Sequence, residues 1–89
     1  MKTFEIDASL FESRRDAHTV MKTVFEGYEY YGNSLDALHD VLTSIREDAR
    51  IVLKNTDASR EVIDTYIDRI IRVMRESAEE NPHLEIVIE

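Results

Sequence analysis

The sequence predicts an α/β protein in which a three-stranded parallel sheet, in the order 1-2-3, forms one layer and three to four helices form the other. Strand-like and helix-like patterns alternate along the chain as β-α-α-β-α-β, which favours parallel strands joined by right-handed crossovers. The middle strand pattern is continuously apolar, as a central strand should be. The 89 residues suffice for one domain over residues 1–89.

The spacing of apolar residues predicts a first strand and then a first helix. Phe4 and Ile6 alternate with polar residues, so residues 2–7 are predicted to form a strand. From Ser13 to Phe25 the apolar side chains instead recur at helical spacing, and they are Ala17, Val20, Met21, Val24 and Phe25. Gly27 then supplies a helix stop.

An aromatic loop at residues 28–33 leads into the second helix. Gly32 and Asn33 give this loop its turn chemistry. Ser34 can cap the helix, and Asp36 in its first turn is favoured by the helix dipole. The apolar stripe predicts a helix that runs to about residue 45, and it consists of Leu35, Leu38, Val41, Leu42 and Ile45.

The second half of the chain predicts a central strand, one long helix and an edge strand. The short apolar run at residues 51–53 suits a strand that is buried on both faces. Thr56 or Asp57 can cap the longest helix, which is expected to end before Asn81 and Pro82. Alternating apolar residues at 84–88 predict the final strand.

The composition limits the classes of partner. Nineteen acidic residues against eleven basic ones give a net charge of -8. This balance argues against nucleic acid, whose phosphates require Lys and Arg clusters, and against an anionic membrane. It favours a basic protein partner, which an acidic surface attracts over long range. The chain has no cysteine, and its first seven residues carry charges where a signal peptide would be apolar. We therefore expect a cytoplasmic protein that is a monomer when free.

The second helix is predicted to carry an acidic face opposite its apolar stripe. At about 100° per residue, four polar residues lie along one line with His39 at its flank, and they are Asp36, Asp40, Thr43 and Glu47. Carboxylates beside tyrosines suit the recognition of Arg and Lys, because a carboxylate accepts charge-assisted hydrogen bonds and tyrosine is a rigid contact. A charged face is also typical of any solvated helix, so the pattern alone leaves both interpretations open.

The same stretch resembles the barstar family. Residues 30–40, Tyr-Tyr-Gly-Asn-Ser-Leu-Asp-Ala-Leu-His-Asp, are similar almost position for position to the family's Tyr-Tyr-Gly, Leu-Asp-Ala-Leu and following Asp, and residues 41–43 continue the match. Residues 51–53, 73–76 and 84–88 resemble the family's second strand, last helix and last strand. The similarity is poor over residues 45–50 and 54–69. The resemblance implies a barstar-like fold.

The resemblance also implies a function, that of a non-enzymatic inhibitor which covers the active site of a basic extracellular ribonuclease of the barnase type. Asp40 would enter the site that binds the RNA phosphate, and Asp36 and Glu76 would pair with cations at its rim. Tyr30, which we expect to point outwards, would pack against the catalytic His of the enzyme. The full set of residues expected to bind the partner is Tyr30, Gly32, Asn33, Leu35, Asp36, His39, Asp40, Thr43 and Glu76.

The chain departs from the family pattern at positions that bear on the partner. His39 and Ile45 stand where the family has Trp, and Ser34 stands where it has Asn. His39 replaces an aromatic contact by a group that titrates near neutral pH. The target is therefore expected to be either a barnase-type ribonuclease or a nuclease toxin, secreted or delivered by contact, for which this chain would be the immunity protein.

A third hypothesis is a small metal-dependent or acid–base enzyme that uses Asp36, His39 and Asp40. Aspartate and histidine one helical turn apart can share a divalent ion, although one His with two carboxylates is a weak signal. His18 and His83 show no ligand spacing and are expected to be exposed or half-buried. We found no Gly-rich phosphate loop in the sequence and expect no cofactor and no catalytic residue.

Overall fold

The predicted α/β fold is confirmed by the computed structural model, which describes residues 1–30 and 32–89. A short 3-10 helix, Ala8–Leu10, follows the first strand. The other elements in chain order are β1 (Lys2–Asp7), α1 (Arg14–Val24), α2 (Leu35–Ser44), β2 (Ala49–Lys54), α3 (Thr56–Ile63), α4 (Tyr66–Glu80) and β3 (Leu84–Ile88). None of the helices described is long and apolar enough to cross a membrane.

The three strands form one parallel sheet in the order β1-β2-β3, as the sequence predicted. Phe4 pairs with Ile51, and Ile51 pairs with Ile86, so apolar residues line up on the face that packs against the helices. The opposite face is more polar, and its exposed side chains are Thr3, Glu5, Arg50 and Glu85. Val52 on that face is only 8% exposed, and β2 is therefore buried on both faces, as expected of the central strand.

The starts of α1 and α2 are each stabilised by a serine side chain that immediately precedes the helix. Ser13 caps α1 by accepting a hydrogen bond from the amide of Asp16 at 2.9 Å, and Ser34 caps α2 through the amide of Ala37 at 3.1 Å. Both contacts satisfy amides that a helix start leaves without a partner. On α2 the side chains with no exposed surface are Leu38, Val41 and Leu42.

The prediction of a single long helix after β2 was wrong, because the chain breaks between α3 and α4. Asp64 has φ 53° and ψ −132°, a backbone conformation outside the helical region. The two helices pack on different neighbours: α3 lies against the 3-10 helix, whereas α4 lies against α2 and β3. Arg60 and Asp68 form an ion pair across the break with a separation of 2.7 Å. The predicted caps were also wrong, since α3 begins after Asn55, which has no side-chain cap bond.

Asn81 fixes the C-terminal end of α2 to the end of α4. Its side chain is buried and donates to the carbonyl oxygens of Leu42 at 3.0 Å and Ile45 at 2.8 Å. Its side-chain Oδ1 accepts a hydrogen bond from the backbone amide of His83 at 3.1 Å. The last carbonyls of a helix have no partner within the helix, so this one side chain satisfies them while joining two helices and the start of β3.

A buried polar network joins α1, the loop before α2 and α4. His18 is 1% exposed, so the expectation that it is exposed or half-buried was wrong. It shares the inner face of α1 with Ala17 and Met21. Its Nδ1 lies 2.7 Å from the hydroxyl of Tyr30, and its Nε2 lies 2.7 Å from the hydroxyl of Tyr66. Both ring nitrogens thus have a partner, which makes burial of the ring tolerable.

We expect Asn81→Ala to lower the free energy of unfolding by about 2 kcal/mol or more, because buried carbonyl groups would lose their donor. Urea unfolding followed by circular dichroism would measure the change. Asn33→Ala, which removes the same amide from an exposed position, should cost less than about 0.5 kcal/mol. Equal losses in the two variants would contradict the role given to Asn81.

The His18 network predicts a loss of stability in mild acid. Burial, aided by the nearby charge of Lys22, lowers the pKa of His18 from its ordinary value of 6.5. The unfolded chain therefore binds a proton that the folded protein excludes. Neutral His18 therefore contributes its full share of the free energy of unfolding above pH 6.5. This share declines as the pH falls below 6.5 towards the lower pKa that His18 has in the folded protein.

Urea unfolding of the wild type and of His18→Gln between pH 7.5 and pH 5 would test this prediction. The wild type should lose more stability over this range than the variant does, whatever the difference between them at neutral pH. Parallel pH profiles would show that His18 does not exclude a proton in the folded state.

Candidate functional site

Two carboxylates stand on the outer side of α2, one helical turn apart. Asp36 is exposed, and the side chain of Asp40 is 81% exposed. The opposite side of the helix is anchored by Ala37, Leu38 and Val41, all of them buried. The backbone of α2 is thus held by the core while both carboxylate groups face solvent, which is the geometry needed to meet a cationic surface.

The acidic row on α2 is shorter than the sequence predicted. The helix ends at Ser44, with Ile45 as its C-terminal cap, so Glu47 does not continue the line of Asp36 and Asp40. Glu47 instead accepts a hydrogen bond from the hydroxyl of Tyr28, and one of its oxygens lies 3.6 Å from Nζ of Lys2. These contacts with β1 and the loop account for its different position.

A second row on α4 runs beside α2. At the N-terminal ends of the two helices, Arg72 and Asp36 line the same groove. Further along, Glu80 is hydrogen-bonded to His39. Glu76 lies one turn from each of these α4 residues and is exposed, so helical periodicity places it on the same side of the molecule as the α2 carboxylates. The structure therefore brings Glu76 towards Asp36 and Asp40.

His39 lies among these carboxylates. Its side chain is 35% exposed; its Nε2 bonds Glu80, and its Nδ1 lies 3.8 Å from Oδ1 of Asp40. The hydrogen bond with Glu80 raises the pKa of His39 above its ordinary value of 6.5, against the opposing effect of burial, and the charges of Glu80 and Asp40 act in the same direction as the bond. The acidic surface thus contains a titratable side chain whose protonated form is favoured by its neighbours. Sequence reasoning missed Glu80, although its spacing of four residues from Glu76 on a helix was a usable signal.

The loop before α2 differs from expectation at Tyr30. Its side chain is 8% exposed and points into the core, so the prediction that it faces outwards was wrong. Its ring stacks on that of Phe25, with 6.5 Å between centroids, and its hydroxyl bonds His18. Tyr30 points inwards because the hydrogen-bond partner of its hydroxyl, His18 on α1, is itself buried. The neighbouring Tyr31 lies outside the residues described.

The remaining candidate residues of the loop and helix fall around the two carboxylates. Gly32 is exposed with φ 80°, a turn conformation that favours glycine. Asn33 is exposed beside it. Leu35 is half-buried and packs against the core, as expected. The hydroxyl of Thr43 donates to the carbonyl oxygen of His39 at 2.8 Å, so its hydrogen is engaged within the helix.

A cleft of about 290 Å³ beside Asp40 is lined also by Glu29, Ala37 and Ser44. Two carboxylates at its sides suit a cationic side chain such as that of Arg or Lys. Sequence reasoning missed Glu29, because it precedes the helix and carries no periodic signal.

The metal hypothesis for Asp36, His39 and Asp40 gains no support from the geometry. Among residues 1–30 and 32–89 there is no group of three His, Cys, Asp or Glu side chains arranged to hold a metal ion. The two nitrogens of His39 face Asp40 and Glu80 instead. The structure therefore makes His39 part of an ion-pair cluster.

Comparisons with known proteins agree with this architecture. The family model described as "Barstar (barnase inhibitor)" matches residues 1–89. The chain is also similar to a protein of Bacillus subtilis (strain 168) named "Putative ribonuclease inhibitor YrdF", with 34% identity over an alignment of 91 residues that covers the whole of both chains. A family match over the entire length, joined to a related sequence of the same extent, identifies this chain as a member of the barstar family.

Proposed function

We propose that this protein is a non-enzymatic inhibitor of a basic ribonuclease, and that it acts by laying α2 and the loop before it over the active site. The observation that carries the proposal is the pair of exposed carboxylates, Asp36 and Asp40, on a helix whose other side is fixed in the core. Membership of a family described as barnase inhibitors supports it, as does the name of the Bacillus subtilis relative.

Asp40 is the central contact of the proposed complex. Its side chain is 81% exposed, and Oδ1 lies 3.8 Å from Nδ1 of His39. A carboxylate in this state can accept bidentate hydrogen bonds from an arginine. In a ribonuclease, arginine and histidine bind the phosphate of RNA, and Asp40 presents them with a negative charge in its place. Inhibition is then competitive with RNA.

The residues around Asp40 complete the proposed surface. Asp36 and Glu76 flank it as further partners for cations at the rim. Gly32 and Asn33 bring the exposed backbone of the loop towards the enzyme. Tyr30 is only 8% exposed and supports this loop from inside the core through His18, so its proposed contribution to binding is mainly to hold the loop in place.

The charge of the whole molecule supports the same partner. A net charge of -8 attracts a basic protein before contact and raises the rate of association. The proposed site of action is the cytoplasm, where the inhibitor would protect the cell that makes the ribonuclease.

A nuclease toxin is the second candidate partner. His39, hydrogen-bonded to Glu80, occupies the position where the family has Trp, so a polar and titratable contact replaces an aromatic one. A change of this kind at the middle of the acidic surface favours a partner that differs from barnase at the matching position. A toxin gene next to the gene for this protein would favour the role of an immunity protein.

We expect stoichiometric inhibition of at least one barnase-type ribonuclease and a large loss in Asp40→Ala. Removing one member of a buried charge pair typically costs about 2 kcal/mol or more, roughly a thirtyfold loss of affinity. The measurement is RNA hydrolysis against inhibitor concentration for barnase and several related basic ribonucleases and nuclease toxins.

Asp57→Ala is the matched control for this assay. It removes an exposed carboxylate of α3, outside the proposed surface, and changes the net charge by the same amount. Its inhibition constant should stay within about twofold of the wild type. Failure to inhibit any of the enzymes would refute the proposed function, and equal inhibition by wild type and Asp40→Ala would refute the proposed site.

Inhibition should weaken as the pH falls, because protonation adds a positive charge to a surface that binds cations. The pKa of His39 lies above 6.5 in the free protein, so affinity is expected to decline as the pH drops through that value. The charged groups that contact His39 are Asp40 on its own helix and Glu80 on α4.

The measurement is the ratio of inhibition constants at pH 8.5 and pH 6 for the wild type and for His39→Gln against the same enzyme. Titration of the enzyme affects both ratios equally, so the difference between them belongs to His39. The ratio should be smaller in the variant. Identical ratios would place His39 outside the coupling between protonation and binding.

A further inference from the structure

A groove of opposite charge adjoins the acidic surface. It lies between the N-terminal ends of α2 and α4, has a volume of about 530 Å³, and is lined by Asn33, Asp36, Tyr66, Arg69 and Arg72 among others. Arg69 and Arg72 are exposed and occur on the same face of α4. The groove is thus a cationic region on a protein whose net charge is -8.

Tyr66 lines the groove and contacts the guanidinium group of Arg69, which also lines it, as well as that of Arg14 on α1. The Cζ atom of Arg69 lies 5.9 Å from the centroid of the Tyr66 ring, and that of Arg14 lies 5.1 Å from it. The ring is itself fixed, because its hydroxyl bonds the buried His18. Stacking on an aromatic ring restricts an arginine side chain and lowers the entropy lost when it binds an anion.

These arginines have no ion-pair partner among the residues described. No carboxylate oxygen of residues 1–30 or 32–89 lies within 4.0 Å of the guanidinium groups of Arg14, Arg69 or Arg72. In the same protein Lys2, Arg50, Lys54 and Arg60 are paired with carboxylates, whereas the other seven Lys and Arg side chains form no ion pair within the residues described. Two arginines against one carboxylate, Asp36, leave the lining of the groove with an excess of positive charge, which an anionic ligand would offset.

We propose that this groove receives a carboxylate side chain of the protein bound by α2, and that it determines which partners fit. The inference rests on the proposed function. An arginine fork matches a carboxylate in two parallel hydrogen bonds. A polyphosphate such as RNA is disfavoured, because Asp36 and Asp40 and the net charge repel a polyanion, whereas a docked protein presents one carboxylate at a fixed place.

The arrangement sets a geometric requirement on the partner. Asp36 lines the groove, and Asp40 follows one turn later, about 6 Å along the axis of α2. The partner must therefore carry an acidic residue roughly one to two helical turns, about 5–11 Å, from the cations that meet Asp40. A ribonuclease with a basic residue at that place would be repelled by Arg69 and Arg72, which makes the groove a device for selection as well as attraction.

The test compares Arg72→Glu with Arg15→Glu in the inhibition assay. Each substitution changes the net charge by the same amount, and Arg15 is an exposed residue of α1 away from the groove. Greater acidity alone should leave binding to a basic enzyme unchanged or tighter, as expected for Arg15→Glu. If the groove binds a carboxylate, Arg72→Glu should weaken inhibition about tenfold or more.

Further variants separate the possible outcomes. Arg72→Gln should give a smaller loss in the same direction, and it serves if the Glu variant does not fold. Replacing the matching acidic residue of the ribonuclease by Lys should restore inhibition by Arg72→Glu. If both Arg72 variants inhibit as well as the wild type while Asp40→Ala loses inhibition, the proposed role of the groove is refuted and the proposed function stands. Absence of inhibition by the wild type would overturn both.

Discussion

The burial of the apolar side of α2 is the interaction on which the rest of the structure depends. Leu38, Val41 and Leu42 have no exposed surface, and this leaves one side of the helix available to solvent along its length. Ser34 caps the start of the helix, and Asn81 binds the carbonyl groups at its end. A helix held in this way presents its carboxylates at fixed positions, so little ordering is required when a partner binds.

Charge is distributed over this protein in a pattern that its net value does not reveal. Asp36, Asp40 and Glu76 form an acidic surface, His39 adds a titratable side chain within it, and arginines line the groove beside it. A uniformly acidic surface would attract many basic proteins. Adjacent regions of opposite sign restrict the choice to a partner with the complementary order of charges, because any mismatched region is repelled.

His18 joins the core to both halves of this charged surface. Through Tyr30 it holds the loop before α2, and through Tyr66 it fixes the ring on which Arg14 and Arg69 stack. The network is buried and paired at both ring nitrogens, which makes its geometry specific. The position of His18 explains why Tyr30, which belongs to the loop before α2, is buried in the core.

The sequence by itself determined the strands, their order and the inner and outer sides of α2, because periods of two and of 3.6 residues record burial along each element. The barstar-like motif at residues 30–40 also identified the acidic helix before the fold was known. Tertiary structure decided the inward position of Tyr30, the break between α3 and α4, and the place of Glu47. It also decided the pairing of His39 with Glu80, 41 residues away, and of His18 with Tyr66, 48 residues away. Local periodicity reports whether a side chain is buried, whereas the partner of a polar group depends on elements that only the folded chain brings together.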